Sequence, residues 1–283
     1  MNHVGASEID YVSAFILGLI QGVTEFLPVS SSGHLVLVQR WLGIRGDAPA
    51  VLLFDVLTHV GTLGAVFIVF WRSFFRFAAA LARETEGSRR AKQTAWRVLL
   101  LALLACVPTG IIGLGLQKRF ESAFDSPLAA GMGLLITGCV LFATGRIRRP
   151  RRGWRRFGIW RAVIVGIAQG IAIWPGISRS GSTIATAMFL GLKRRWSAEF
   201  SFLIAVPPIM GGALRKALDI WDLPGTVRTD VPLGPIALGT AVAFLVGIGA
   251  LLLLLRLVVR DKLHLFAYYC WALAILVLIQ ARA

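Results

Sequence analysis

Charged residues and cysteines are both scarce in this 283-residue chain. Asp, Glu, Lys and Arg together make up 16% of the residues, below the roughly 25% that is usual in soluble domains. The three cysteines stand singly in apolar runs, which excludes the paired spacing of a disulfide framework and the clustered spacing of a metal site. We interpret Cys106, Cys139 and Cys270 as small packing residues.

Acidic residues are especially few, with 14 against 30 Lys and Arg, and the formal net charge is +16. An excess of this size also occurs in nucleic-acid-binding proteins, where the basic residues cluster on one face or along one helix. Here they occupy short linkers between apolar segments. We therefore expect no nucleic-acid partner.

Long apolar stretches are what the sequence has in abundance. Hydrophobic residues account for 57% of the chain, and its mean hydropathy is +0.74. Stretches of roughly 18 to 21 residues recur, about the length that crosses a bilayer core as a helix. We predict an all-α polytopic membrane protein that forms a single integral membrane domain. Six segments are interpreted as ordinary transmembrane helices: 52–71, 98–116, 127–145, 198–216, 236–256 and 264–281.

Two further apolar segments, 11–41 and 161–192, are interrupted in the middle by clusters of Pro, Ser and Gly. Each uninterrupted piece is too short to cross a bilayer comfortably, so we interpret each segment as a re-entrant helix-loop-helix. Irregular backbone at membrane depth is tolerated only where it is buried in protein or lines water. The two breaks therefore predict a cavity inside the membrane domain.

The basic residues orient these segments through the positive-inside rule. Of the 30 Lys and Arg, 21 fall in four segments that we predict to be cytoplasmic: 72–97, 146–161, 193–195 and 256–262. With these segments inside, the predicted spans alternate without contradiction. The first broken segment then enters the membrane from outside, and the second enters from inside.

Each half of the chain, about 11–145 and about 161–281, contains one re-entrant pair followed by three crossings. An odd number of crossings places the second half upside down relative to the first. We therefore predict an inverted-topology repeat whose two broken segments meet near the midplane. Repeats of this kind are typical of secondary transporters, which keeps transport as an alternative function.

The two broken segments share a pattern of Gly, Gln and Ser at a constant offset of 148 residues. The glycines, four residues apart, favour close helix packing. The first half adds an acid and a histidine to the pattern, whereas the second adds an arginine, so the halves divide the parts of one anion-handling site. The matched pairs are Gly18 and Gly166, Gln21 and Gln169, Gly22 and Gly170, Ser30 and Ser178, Ser32 and Ser180, and Gly33 and Gly181.

Glu25 and Arg179 are the charged residues nearest the two breaks. A charge in an apolar helix costs about 2.5–3.5 kcal/mol on insertion scales, so Glu25 must face a partner or a cavity. We interpret it as a metal ligand or general base, with a structural ion pair to an arginine as the alternative. Arg179 at membrane depth needs an anion, and its planar guanidinium suits phosphate. A structural bridge to Glu25 is compatible with that role, because substrate can replace it.

The run Ser30-Ser31-Ser32-Gly33-His34 ends one helix and begins the next. A single serine at a helix start is an ordinary N-cap, but three exceed what one cap needs. Hydroxyls and free N–H groups at a helix N-terminus also form a cradle for phosphate. His34, one turn into the helix, is a candidate acid, base or nucleophile. Weaker candidates for the same cavity are Asp55, Thr58 and His59.

Two strings closely resemble the signature motifs of the undecaprenyl-pyrophosphate phosphatases of the bacitracin-resistance type: Gln21-Gly-Val-Thr-Glu25-Phe-Leu-Pro-Val-Ser-Ser-Ser-Gly-His34 and Pro175-Gly-Ile-Ser-Arg179-Ser-Gly-Ser-Thr183. The resemblance extends over the whole chain. It implies hydrolysis of the lipid pyrophosphate to its monophosphate and inorganic phosphate, which recycles the carrier for cell-wall synthesis. It also implies a multi-pass protein of the bacterial plasma (inner) membrane, with an outward-facing site that depends on a divalent cation, Mg²⁺ or Ca²⁺.

The resemblance also implies roles for individual residues. Glu25 matches the metal-linked acid of the family, and Arg179 its phosphate-binding arginine. Ser31 matches the nucleophile or phosphate-contacting serine, and His34 the histidine of the motif. Gln21 stands where many members have a glutamate; we expect it to share the metal with Glu25, although an amide removes one charge. The residues expected to contact the substrate are Gln21, Ser30, Ser32, Ser178 and Ser180.

These residues predict a mechanism. Arg179 and neighbouring hydroxyls clamp the pyrophosphate of a long-chain prenyl lipid, and a cation held partly by Glu25 neutralises charge. Ser31 or a water attacks the terminal phosphorus, and His34 or Glu25 handles the proton. The sequence leaves open whether Ser31, His34 or water is the nucleophile, which metal and chain length are preferred, whether the protein forms a homodimer, and whether it also flips the monophosphate. A flippase without hydrolysis and a structural scaffold are the other function classes, but neither needs a nucleophile beside buried charges.

Overall fold

The computed structural model describes residues 9–44, 48–82, 89–124, 126–147, 150, 152–221 and 232–281. Regular structure in these residues is helical, apart from one isolated bridge between Arg152 and Leu192. The α-helices are α1 (Tyr11–Thr24), α2 (Ser31–Trp41), α3 (Pro49–Ala82), α4 (Arg89–Gly115), α5 (Gln117–Phe124), α6 (Pro127–Thr144), α7 (Ile159–Ile171), α8 (Arg179–Phe189), α9 (Arg194–Trp221), α10 (Leu233–Val259) and α11 (Phe266–Gln280). Short 3₁₀ turns at Trp154–Arg156 and Leu263–Leu265 precede α7 and α11.

Six helical stretches are long and apolar enough to cross a membrane, and they coincide with the six predicted spans. They are α3, α4, α6, α9, α10 and the stretch that contains α11. The predicted spans are confirmed as helices, although α3 and α4 run past the predicted ends. The described part of the basic linker 72–97 is therefore helical. The eight-residue α5 was not predicted, because it is too short to produce a clear apolar period.

Both broken segments are helix pairs with an irregular connection. Residues 25–30 separate α1 from α2, and residues 172–178 separate α7 from α8. Ser30 and Gly176 have positive φ angles of 69° and 82° in the two connections. Gly176 is also needed for space, because a Cβ there would collide with the carbonyl oxygen of Ala130 in α6.

Glycines of the sequence repeat bring helices of opposite halves into close contact. α1 packs on α10, and α7 packs on α4. A Cβ on Gly18 would collide with the backbone of Gly239, and a Cβ on the matching Gly166 would collide with the backbone of Ala105. The close helix packing predicted from the glycine spacing is confirmed at both positions.

The same contacts give the relative directions of the helices. In the α1–α10 and α7–α4 pairs the contacting residue numbers rise together, so the helices of each pair run in the same direction. α3 has the same relation to α10. In the α6–α11 pair the order is reversed, since Gly131 lies against Leu278 and Gly138 against Trp271. α6 and α11 are therefore antiparallel.

A cluster of aromatic rings fixes the first break against the second half of the chain. Phe26, which follows α1, packs edge-on against Phe202 of α9, with ring centroids 5.7 Å apart. Phe70 of α3 contacts Phe202 at a centroid distance of 5.9 Å. All three rings are buried in one cluster that α10 completes with Leu251 and Leu254.

Candidate active site

The two breaks line one cavity of about 380 Å³. Residues on both breaks contribute most of the polar part of its surface, and residues of α3, α5 and α9 complete the lining. Most of the remaining wall is apolar. The cavity is lined by Thr24, Glu25, Ser30, Ser31, Ser32, Asp55, Val56, His59, Phe124, Ala172, Ile173, Ile177, Ser178, Arg179, Pro208, Ile209, Gly212, Ala213 and Lys216.

The carboxylate of Glu25 is buried and has four polar neighbours. Its Oε2 accepts hydrogen bonds from Ser31 Oγ at 2.7 Å and from Gln21 Nε2 at 3.1 Å. His59 Nε2 lies 3.7 Å from the same oxygen, and Oε1 accepts a hydrogen bond from the Arg179 guanidinium. These donors satisfy both oxygens of a carboxylate that would otherwise be costly to bury.

Arg179 is the first residue of α8, and its side chain is about one-fifth exposed to the cavity, at 20% against 4% for that of Glu25. The ion pair that the sequence offered as an alternative interpretation is therefore present. Among the described residues the guanidinium donates one hydrogen bond, to Glu25. A guanidinium has five N–H donors, so several are left for an anion in the cavity.

α2 and α8 both begin at this cavity. The first N–H groups of a helix have no intrahelical acceptor, and they carry the positive end of the helix dipole. In α8, Ser178 Oγ accepts from the Gly181 N–H at 3.1 Å, whereas the Ser30 side chain caps none of the N–H groups of α2, all of whose residues are described. Two helix N-termini at one cavity form a cradle for an anion.

Four further serines of the two motifs lie in pairs. The hydroxyl oxygens of Ser30 and Ser32 are 3.5 Å apart, and those of Ser178 and Ser180 are 3.2 Å apart. Of these four, Ser180 is the one that lies outside the cavity lining. Its hydroxyl contacts that of Ser178, which does line the cavity. Substrate contacts by these serines stay a prediction.

His34 does not line the cavity. Its Nδ1 lies 2.8 Å from the carbonyl oxygen of Ser30, and its Nε2 lies 2.7 Å from the hydroxyl of Tyr269 in α11. Because a carbonyl oxygen only accepts, Nδ1 is assigned as the donor, and Nε2 then accepts from Tyr269. His34 thus holds the backbone of Ser30 in its unusual conformation. Its predicted part in proton transfer stays a prediction, and the group beside the Ser31 hydroxyl is Glu25.

The second break is held in a matching way from α6. Thr137 Oγ1 donates to the carbonyl oxygen of Gly176 at 3.0 Å and accepts from the N–H of Ser178 at 3.0 Å. α6 and α11 are the last long helices of the two halves. Each break is therefore held by a hydroxyl from the last helix of the opposite half, directly by Thr137 and through His34 by Tyr269.

α3 and α9 add polar groups to the cavity. Asp55 and His59 line it, whereas the Thr58 hydroxyl donates to the carbonyl oxygen of Asp55 at 3.1 Å. Lys216, which is not among the predicted site residues, also lines the cavity. A signal was available, because Lys216 lies at the end of a predicted span where the positive-inside rule expects few basic residues.

Gln21 and its repeat counterpart Gln169 have different hydrogen-bond partners. Gln21 Nε2 donates to Glu25, whereas Gln169 Nε2 donates to the carbonyl oxygen of Ile204 at 3.0 Å and to Thr109 at 3.2 Å. Both Oε1 atoms are buried and have no hydrogen-bond partner among the described residues. Gln21 lies behind Glu25 rather than in the cavity lining. Its predicted contacts with metal and substrate stay predictions, and the contact seen is with Glu25.

Oxygen donors of the kind that hard cations prefer are concentrated at the cavity. The carboxylates of Glu25 and Asp55 and four serine hydroxyls line it. No three His, Cys, Asp or Glu side chains in the described part of the chain form a ready cluster for a metal. Two carboxylates fit Mg²⁺, which commonly takes one or two protein carboxylates together with substrate phosphates.

Comparison with known proteins shows a similarity over nearly the whole chain. The model of the family described as bacitracin resistance protein BacA matches residues 14–276. A protein named undecaprenyl-diphosphatase from Alkalilimnicola ehrlichii is 40% identical over 275 residues, which cover 93% of each chain. One of the same name from Desulfosudis oleivorans is 43% identical over 269 residues, which cover 93% of this chain and 95% of the relative. Another, from Halorhodospira halophila, is 39% identical over 277 residues, with coverages of 94% and 96%.

Proposed function

The chain belongs to the bacitracin resistance protein BacA family, and from this membership we propose that it hydrolyses undecaprenyl pyrophosphate to undecaprenyl phosphate and inorganic phosphate. The reaction recycles the lipid carrier for cell-wall synthesis and contributes to bacitracin resistance. The protein acts as a multi-pass enzyme of the bacterial plasma membrane. Its partners are the long-chain prenyl pyrophosphate and the surrounding membrane lipids.

The observation that carries this proposal is the meeting of Ser31, Glu25 and Arg179 at one cavity. A hydroxyl 2.7 Å from a carboxylate oxygen pairs a nucleophile with a base. A guanidinium on the other oxygen of that carboxylate is a ligand for phosphate. Anion binding alone needs the arginine but not the hydroxyl–carboxylate pair, so the arrangement favours phosphoryl transfer over transport.

Substrate binding rearranges the ion pair. The pyrophosphate enters between the N-termini of α2 and α8, where it accepts hydrogen bonds from their free N–H groups and from Arg179. As Arg179 turns its donors toward phosphate, the carboxylate of Glu25 becomes available to accept a proton. Lys216, on the wall formed by α9, adds a second positive charge.

The chemical step follows from the contact between Ser31 and Glu25. Ser31 Oγ attacks the terminal phosphorus, its proton passes to Glu25, and the bond to the bridging oxygen breaks. The leaving prenyl monophosphate takes the proton from Glu25. Water then attacks the phosphoserine: its proton passes to Glu25 and from Glu25 to the departing Ser31 Oγ, which releases inorganic phosphate and restores both groups. Direct attack by a water beside Ser31 is the alternative, and a variant of Ser31 distinguishes the two.

A divalent cation, Mg²⁺ or Ca²⁺, fits the oxygen donors at the cavity, where Glu25 and Asp55 would hold it together with the phosphates. When bound, the cation supplies positive charge to the phosphoryl oxygens. The two carboxylates offset Arg179 and Lys216, so the protein alone has little surplus charge to set against a pyrophosphate. Gln21 orients Glu25 by donating to its Oε2.

The apolar wall of the cavity accommodates the first part of the prenyl chain. Ile173 and Ile177 come from the second break, Val56 from α3, and Ile209 from α9. This surface begins next to the serines and Arg179. A substrate with a phosphate head and a hydrocarbon tail matches a cavity that combines these polar groups with an apolar wall.

We further propose that the fold is an inverted-topology repeat with two re-entrant helix pairs. α1 and α2 have 14 and 11 residues, fewer than the about 20 that a crossing needs. α1 of the first half packs on α10 of the second, and α7 of the second half packs on α4 of the first. Each break is also held by a hydroxyl from the opposite half. These reciprocal contacts support a two-fold relation between the halves. The cavity includes the ends of α5 and α9 that lie away from the basic linkers, which supports an outward-facing site.

Cysteine labelling tests this orientation in a chain whose three native cysteines are replaced. A cysteine at Lys118 in α5 is expected to react with an impermeant reagent from outside the cell. A cysteine at Arg155 is expected to be protected until the membrane is opened. The reverse pattern contradicts the proposed topology.

The activity is tested by phosphate release from a long-chain prenyl pyrophosphate, with purified protein in the presence and absence of chelator. Release that requires metal and disappears in Arg179→Ala supports the proposal. Arg146→Ala is the control, because its guanidinium lies over Phe142 and outside the cavity. No release from folded protein favours the second candidate, transport of the monophosphate, since two helix breaks at one cavity also suit alternating access.

A further inference from the structure

A second cavity, of about 1050 Å³, lies at the basic end of the bundle. It is a cleft between the ends of α3 and α10 and the start of α9. Its lining shares no residue with that of the candidate active site. The positive-inside rule assigns this end of the bundle to the cytoplasm.

Arginines from three helices converge on this cleft. Arg72 and Arg76 of α3 are four residues apart, as are Arg256 and Arg260 at the end of α10, so each pair shares one helix face. Arg195, in the first turn of α9, is the fifth. Among the described residues one acid lines the cleft, Glu199, and it pairs with Arg195 at 3.0 Å. Four positive charges are thus left in excess over the acid of the lining.

The rest of the cleft is apolar and aromatic. Trp71 and Phe75 of α3 pack together with ring centroids 4.3 Å apart, and both are about half exposed. Leu252 and Val259 of α10 lie opposite them in the lining. A soluble anion would satisfy the arginines but leave these side chains against water, whereas a lipid covers both kinds of surface.

We propose that this cleft binds an anionic phospholipid of the cytoplasmic leaflet, with its phosphate against the arginine pairs and its acyl chains along Trp71, Phe75 and α10. Basic pockets between transmembrane helices on the cytoplasmic side are suited to such head groups. An arginine guanidinium binds a phosphate through two parallel hydrogen bonds, which fixes the head group as well as attracting it.

The bound lipid supports the packing of the bundle. Phe70 lines the cleft and also contacts Phe202, which in turn packs on Phe26 at the first break. A lipid that fills the cleft therefore stabilises the contact of α3 with α9 and α10. We expect the anionic lipid to raise the melting temperature of the protein, and a zwitterionic lipid to leave it unchanged.

Native mass spectrometry of the detergent-purified protein tests the proposal. The lipids are phosphatidylglycerol, phosphatidylethanolamine and a prenyl monophosphate, each titrated separately. The variant Arg72→Gln/Arg256→Gln removes one arginine from each pair, and Arg146→Gln/Arg161→Gln removes the same charge from basic residues outside the cleft. We expect phosphatidylglycerol to bind about tenfold more weakly to the first variant, with little change in the second.

Equal phosphatidylglycerol affinity in the two variants, or equal binding of phosphatidylethanolamine, overturns the proposal. If the prenyl monophosphate binds more tightly than phosphatidylglycerol and the Arg72→Gln/Arg256→Gln variant loses this binding, the ligand of the cleft is a prenyl phosphate and the phospholipid proposal is overturned. Phosphate release in detergent checks that each variant is folded, since neither alters the candidate active site. If the double variant does not fold, the exposed single variant Arg260→Gln repeats the measurement.

Discussion

The guanidinium of Arg179 donates a hydrogen bond to the carboxylate of Glu25 across 154 residues of sequence. Each residue lies beside a helix break, and the two breaks belong to different halves of the chain. The pair joins the halves at the cavity. In the mechanism that we propose, it also holds the phosphate ligand next to the group that receives the proton, so that binding and chemistry depend on one ion pair.

Replacement of Arg179 tests the phosphate clamp. Arg179→Lys keeps the charge but loses the planar set of donors, and we expect kcat/KM to fall by about 10²–10³, the range found when one transition-state donor is removed. We expect kcat/KM of Arg179→Ala to fall by at least as much. Phosphate release at saturating metal gives the ratio, with Arg146→Ala as the control. Near-normal turnover of the lysine variant would contradict a bidentate role for the guanidinium.

Comparison of neighbouring serines identifies the nucleophile. Ser31 contacts Glu25, whereas the contact of the Ser32 hydroxyl within the described residues is with Ser30 at 3.5 Å. We expect Ser31→Ala to reduce kcat by at least about 10³-fold and Ser32→Ala by about fivefold or less. Rapid quench with labelled substrate should trap a phosphoserine in the parent protein. If Ser31→Ala keeps substantial turnover, Ser31 is not the nucleophile, and the attacking group is water or His34.

Removal of a carboxylate tests the cation. Glu25→Gln and Asp55→Asn keep the shape of the side chains but each removes one negative charge that a hard cation needs. We expect the Mg²⁺ concentration for half-maximal activity to rise at least about tenfold in both variants. Gln21→Glu adds a carboxylate beside Glu25 and should lower the Mg²⁺ concentration needed for half-maximal activity. Metal titrations with superimposable midpoints would exclude these carboxylates as ligands.

The contact between His34 and Tyr269 predicts an effect at a distance from substrate. Tyr269→Phe keeps the stacked ring but removes the hydroxyl 2.7 Å from His34 Nε2. Since His34 holds Ser30, a looser first break should lower kcat by about tenfold with little change in KM. Tyr268→Phe is a close control, because that neighbouring ring packs on Phe142 and Trp271. Equal kinetics for the two variants would remove Tyr269 from the positioning of the break.

Glycine substitutions test the helix packing. A Cβ on Gly166 would collide with the backbone of Ala105, which cannot yield as a flexible side chain can, so Gly166→Ala should destabilise the fold by about 1–3 kcal/mol. Gly249 in α10 has no atom within 4 Å of an added Cβ among the described residues. Gly249→Ala should therefore be neutral or slightly stabilising, because alanine favours the helix. Thermal unfolding in detergent measures both, and a similar melting temperature for the two variants would contradict the close approach of α7 and α4.

Local sequence patterns were sufficient to predict the six long helices and the two breaks. Apolar stretches of membrane-spanning length predicted the six long helices, because length and hydropathy are properties of one segment. The Pro, Ser and Gly clusters predicted where the two short segments are interrupted. Glu25 and Arg179 stood out because an isolated charge in an apolar segment needs a compensating partner, whatever the partner is.

The identity of those partners was decided by the tertiary structure. Lys216 reaches the cavity, and His34 turns from it toward Tyr269, because of how α9 and α11 are rotated and packed. Gln21 and Gln169 occupy equivalent positions in the repeat, yet only Gln21 faces a carboxylate. Helical periodicity determines which residues share a face, but the contacts of that face depend on close approaches between helices far apart in sequence. The sequence by itself therefore determined the six long helices, the two breaks and the charges beside them, whereas the choice of partner for each polar group arose only when the two halves packed together.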